Sequence, residues 1–228
     1  MGIFQFVKGN HFALPEAQAE PLQEGFLLQE NKADAQVSAE HIRPVFENYL
    51  ALHPKESLFF FLEVPLKSNE EKILQEPKGD QPGIMAGTHN GVYYLDAIDA
   101  KEALDLLEVF GDVLVNDGLS AFGFGGPHSE IGKYKYNEML LRDDTEGCPL
   151  KQIFTLLGIP QRQDLAFADN LFTQDNPGVG ELYADAEGRT VYDVVAALQH
   201  VGLYQAEIRE DQEGKTEFLA GDPEEEQP

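Results

Sequence analysis

Between Gly91 and Gly126 the chain reads GVYYLDAIDAKEALDLLEVFGDVLVNDGLSAFGFGG. A short apolar run, a helical repeat, a turn signal and a second run ending in glycines follow one another there, and they constrain the fold more than any other stretch. Val92 to Leu95 suit a strand. Asp99 then stands three residues before Glu102, close to the spacing at which two side chains cap a helix start reciprocally. Ala103, Leu106, Leu107 and Phe110 recur on one helical face, with Lys101, Asp105, Glu108 and Asp112 on the opposite one. The polar stripe persists past Gly111, so the helix is expected to run through that glycine at a cost of about 1 kcal/mol relative to alanine. Asn116-Asp117-Gly118 is the expected stop, because Asn and Gly accept the left-handed conformation.

The flanking chain adds further elements. Ile42, Val45, Phe46, Tyr49 and Leu50 form one apolar helical stripe. Pro44 is harmless only in a first turn, so this helix is expected to begin near His41. Leu58–Leu62, closed by Pro65, reads as a central strand covered on both faces. Lys67 to Asn90 is polar and rich in Pro and Gly, the mark of a long loop. SAFGFGGPHSE and GKYKYNEMLLRDD suit strands of a hairpin or meander, and the alternating Lys133 and Lys135 suit a sheet edge. Pro149 opens a helix through Leu150, Ile153, Phe154 and Leu157, which Gly158 closes. Thr190 and Asp193 cap a last helix that Gly202 ends, and a hairpin of LYQAEIRE with KTEFL follows. These patterns predict an α+β fold, a mainly antiparallel sheet with about four helices packed on it. One domain over 1–220 is expected, with a loosely organised start at 1–37 and an acidic disordered tail at 221–228.

Charge bounds the partners. A formal net charge of −25 over 228 residues argues against nucleic acid and anionic lipid, which need clustered Lys and Arg; it suits an ordinary solvated surface with an acidic tail, and it would steer a basic protein partner at low salt. No stretch approaches the ~20 apolar residues of a membrane span. A single cysteine, Cys148, excludes an internal disulfide and suits a reducing compartment. With no basic leader before the brief apolar start, the expected location is cytoplasmic.

No catalytic constellation emerges. Gly123–Gly126 fails the dinucleotide fingerprint because His128 occupies its last glycine position, and it lacks the Gly-Lys-Ser/Thr of a phosphate loop. Ser120 is one glycine short of a nucleophile elbow. Cys148 lies close to Asp143, Asp144 and Glu146, whose charges disfavour a thiolate. His11, His41, His53, His89, His128 and His200 include no zinc-type pair. Asp96 and Asp99 flank a helix start, where the macrodipole stabilises them. Neither a metal nor a cofactor is expected.

The candidate binding segment is therefore Phe122, Phe124, Gly125, Gly126 and His128 together with Tyr134 and Tyr136. A non-enzymatic interaction protein, such as an acidic inhibitor or immunity-type module that meets a basic partner, is the first expectation. A metal-assisted or acid/base hydrolase using scattered carboxylates and His128 is a second, and a small-ligand binder at the glycine-rich bend is a third.

Overall fold

Phe122 and Phe124 meet Phe46 across a sheet–helix boundary, with Phe60 beside both, and the architecture forms around that contact. The computed structural model describes residues 4–11, 22–67, 88–127, 132–144, 149–168, 179–210 and 216–219. In chain order these give β1 (Asn10–His11), β2 (Gly25–Gln29), β3 (Lys32–Gln36), α1 (Ala39–Leu50), β4 (Leu58–Lys67), β5 (Thr88–Ile98) and α2 (Ala100–Asn116). After them come β6 (Ala121–Gly125), β7 (Gly132–Lys135), β8 (Glu138–Arg142), α3 (Leu150–Leu156), β9 (Val179–Gly180), α4 (Val191–Gln199), β10 (Tyr204–Glu210) and β11 (Thr216–Leu219). Among the described residues, nine strands form one antiparallel sheet in the order β11-β10-β5-β4-β6-β7-β8-β3-β2, and β1 pairs with β9 separately. The fold is α+β, with the four helices on the sheet.

Strand alternation divides the sheet into two faces. Phe60, Leu62, Phe122, Phe124, Tyr134 and Met139 share the face that meets the helices, and all are buried. Phe26 of β2 stacks on Phe154 of α3 on the same side. Phe59, Phe61, Glu63, Tyr94, Lys133 and Tyr204 point to the other face, where no described helix packs.

Several elements depart from the sequence reading. α1 begins at Ala39 and carries Pro44 inside it, because tertiary partners take up the first N–H groups: Ser38 donates to Glu24 Oε1 at 2.8 Å and Ala39 to the Gln5 carbonyl at 2.9 Å. β4 continues through Pro65 rather than stopping there. Its neighbour β6 has ended by Glu63, and the Pro65 carbonyl accepts the Tyr192 hydroxyl at 3.2 Å, so no ladder bond needs the missing N–H. β5 starts at Thr88, so part of the expected long loop is strand; residues 68–87 lie outside the described residues. The start of the chain, expected to be loosely organised, contributes β2 and β3, and the low strand propensity of KADAQ hid the second of these.

The lysine-bearing β7 lies between β6 and β8 rather than at an edge. Its interior place is tolerated because Lys133 points to the helix-free face and pairs with Glu63 at 2.8 Å. GKYKYNEMLLR is itself a hairpin, closed by Tyr136 and Asn137 at φ 54° and 64°, the signature of a two-residue primed turn. Tyr136 is thus a turn residue and does not share a face with Tyr134.

α2 follows the sequence closely. Asp99 accepts from the Glu102 N–H at 2.8 Å, Glu102 accepts from the Asp99 N–H at 2.9 Å, and the helix runs through Gly111 to Asn116. Past its end, buried Asp117 accepts backbone N–H groups from Leu119, Ser120 and Tyr183 at 3.0, 2.8 and 3.0 Å. Burial raises its carboxyl above the usual carboxylate range, against the opposing pull of those hydrogen bonds. Among the described residues no helix is long and apolar enough to cross a membrane.

Candidate functional site

A cleft opens where the end of β5, the outer face of α2 and the end of α4 converge. Its volume is about 440 Å³, and Leu95, Ile98, Leu106, Phe110 and Leu198 form its apolar floor. Local sequence explains the shape. Between Leu58 and Phe60 the β4–β5 register shifts, with Ile98 opposite Leu58 and Leu95 opposite Phe60, so β5 carries one extra residue. Ala97 supplies it at φ 58°, a left-handed conformation that costs a non-glycine residue about 1–2 kcal/mol. Strain of this kind at a cleft wall is a recognised companion of binding sites.

Two aliphatic side chains stand exposed at its lips. Val109 of α2 is 49% exposed and Val201, just past α4, is 65% exposed. Val109 falls beside the Leu106–Phe110 stripe and widens the apolar arc beyond what the core uses. That widening was the available sequence signal. Single exposed aliphatics are ordinary on proteins; two facing one apolar floor are less so.

Carboxylates fringe the cleft at Asp96, Glu102 and Asp105. Each already has one partner: Asp96 accepts the Tyr204 hydroxyl at 2.7 Å, Glu102 belongs to the helix cap, and Lys101 pairs with Asp105 at 2.6 Å. The Asp105 hydrogen bond is also the main reason the Lys101 ammonium is held above its ordinary range. On the far side Arg189 donates to the Val109 carbonyl at 3.2 Å, pairs with Asp185 at 2.8 Å and lies over the Phe110 ring. That contact fixes one wall.

The described residues of the segment expected to bind are placed elsewhere. Phe122, Phe124 and Tyr134 come together in the core, and the Tyr134 hydroxyl donates to the Val115 carbonyl at 2.9 Å. Gly125 ends β6 and Gly126 follows half-buried, whereas Tyr136 occupies the turn at the opposite end of β7. His128 and Cys148 lie outside the described residues. The first glycine of GFGG serves close packing: a Cβ on Gly123 would stand 2.0 Å from the Gly132 carbonyl oxygen and 2.5 Å from Phe61 Cε1. None of the described residues of this segment lines the cleft.

His53 is the described histidine with the richest acidic surroundings. Nδ1 lies 3.0 Å from Glu56 Oε1 and Nε2 lies 3.0 Å from Asp143 Oδ2. The imidazole and Asp143 are buried, so this group ties the turn after α1 to the end of β8 without access for a substrate. Among the described residues no three His, Cys, Asp or Glu side chains gather in a way that could hold a metal. No family model, curated protein or solved structure matches this chain.

Proposed function

We propose that this is an interaction protein that docks a basic, amphipathic segment of a partner protein through the cleft between β5, α2 and α4. The observation that carries the reading is the pairing of exposed Val109 and Val201 over an apolar floor with Asp96, Glu102 and Asp105 at its fringe. An apolar groove with charged margins is the common geometry for an amphipathic helix laid on its apolar side. The acidic fringe selects Lys- or Arg-bearing margins, and the net charge of −25 accelerates encounter with such a partner at low salt. Binding rather than catalysis is favoured because, among the described residues, the lining holds carboxylates and apolar groups without a histidine, serine or cysteine. The reading keeps a reducing, cytoplasmic setting, supported by the single cysteine of the chain.

A synthetic helix-forming peptide with leucines at helical i, i+3, i+7 spacing and basic flanks tests this. Saturable binding that weakens as salt rises, and that is lost in a Val109→Asp, Val201→Asp double variant of unchanged stability, is the expected result. Failure to bind at any salt concentration, or equal binding by the double variant, overturns the reading.

A further inference from the structure

Three described cations of this chain share one arrangement. Lys8 donates to the Tyr183 hydroxyl at 2.9 Å, with its ammonium 5.0 Å from that ring's centroid and 3.9 Å from Asp112. Lys133 lies 5.9 Å from the Phe61 centroid and 2.8 Å from Glu63. Arg189 lies 5.7 Å from the Phe110 centroid and 2.8 Å from Asp185. In each, one cation lies beside both an aromatic ring and a carboxylate. Lys135 over Tyr136 is a further ring contact, within the β7–β8 turn.

At the corner of the sheet the same two components stand ready. Tyr94 and Tyr204, opposite each other on β5 and β10, have ring centroids 6.3 Å apart at 32°. Tyr204 is 46% exposed, and its hydroxyl fixes the exposed Asp96 carboxylate at 2.7 Å. Among the described residues no lysine or arginine contacts Tyr94, Tyr204 or Asp96. Asp96 also lines the cleft, so this aromatic corner continues its margin onto the helix-free face of the sheet.

We propose that the Tyr94–Tyr204–Asp96 corner recognises an arginine side chain of the basic partner, with the guanidinium against the Tyr204 ring and its N–H groups donating to Asp96. The inference rests on the cleft reading for the identity of the partner, but its chemistry is local. An ammonium can also lie beside a ring and a carboxylate, as Lys133 does, but only a planar, weakly hydrated guanidinium stacks flat on a ring while donating in its own plane, which favours arginine here. The hydroxyl bond leaves Asp96 Oδ1 free of a described partner and holds the carboxylate in place, which lowers the ordering cost of binding.

N-acetyl-arginine amide, titrated into the full chain and followed by amide NMR shifts, provides the test, with the lysine and citrulline amides as controls. Saturable shifts centred on Tyr94, Asp96 and Tyr204 are expected, with affinity about three- to ten-fold above the lysine amide. They should vanish with citrulline, in Tyr204→Leu and in Asp96→Asn. Equal response to arginine and lysine, or shifts that survive both substitutions, overturns the inference. The leucine-bearing peptide with all its arginines replaced by lysine separates the two readings. If it still engages Val109 and Val201 while the arginine amide shows no preference, only the arginine site falls. Arginine amide binding without peptide binding removes the cleft reading and leaves the corner as a guanidinium site.

Discussion

The Tyr204 hydroxyl donates to Asp96 Oδ2 at 2.7 Å, joining the first residue of β10 to the distorted end of β5. This bond has a titration consequence. The Tyr204 phenol is pushed up to about 12, first by the hydrogen bond to Asp96, then by burial and by the negative charge of Asp96. Because the folded value exceeds the unfolded one near ~10, the bond contributes stability in full below that pH. The contribution is lost as pH rises through about 12. A phenolate absorbance titration, differenced against Tyr204→Phe to isolate one of the eight tyrosines, should show the raised transition. Asp96→Asn should bring it back down, and an unmoved transition in that variant would contradict the assignment.

Ala97 at φ 58° should be improved by glycine, which adopts the left-handed conformation freely. Ala97→Gly is expected to gain about 0.5–1 kcal/mol in urea unfolding, the relieved strain exceeding the added entropy of the unfolded chain. A loss of stability would mean that the bulge is not strained.

Two other glycines should respond with opposite signs to alanine. At Gly111 a new Cβ meets only Arg43 Cδ at 3.5 Å, so Gly111→Ala should gain about 1 kcal/mol from helix propensity. At Gly118 a Cβ would stand 1.8 Å from the Gly9 carbonyl oxygen and 2.8 Å from the Glu181 N. Backbone cannot yield cheaply there, and Gly118→Ala should lose about 1–3 kcal/mol or more. Thermal unfolding of the pair reads both signs.

Asp117→Asn replaces one acceptor oxygen with an N–H₂ group facing backbone donors. Oδ2 takes two N–H groups and Oδ1 a third, so either orientation of the amide leaves at least one donor unmatched. A loss of about 1–3 kcal/mol is expected, together with earlier hydrogen exchange at Leu119, Ser120 or Tyr183. Wild-type stability would show that the carboxylate is not the organiser of this turn.

Phe122→Ala should cost about 3–5 kcal/mol by leaving a cavity against Phe46 and Phe60. Leu156→Ala, at a position 76% exposed, should stay within about 0.5 kcal/mol. Chemical denaturation distinguishes a core Phe122 from one that serves a surface.

The sequence by itself determined the elements whose signals are local. The reciprocal cap of Asp99 and Glu102, the Thr190–Asp193 start of α4 and the breaks at Gly158 and Gly202 depend on neighbours a few residues apart, and the structure repeats them. Class and sheet type followed from the same patterns. Tertiary structure alone decided which surfaces were left over. KADAQ became a strand because β8 and β2 pair with it, and Pro65 stayed in β4 because β6 stops short of it. The aromatics of Phe122, Phe124 and Tyr134 were legible as aromatics, but their burial depended on α1 and α2 closing over them. The cleft gathers residues from 95 to 201 of the chain, a separation at which no periodicity operates. Its carboxylates and valines are unremarkable in sequence, and the packing of β5, α2 and α4 makes them one surface.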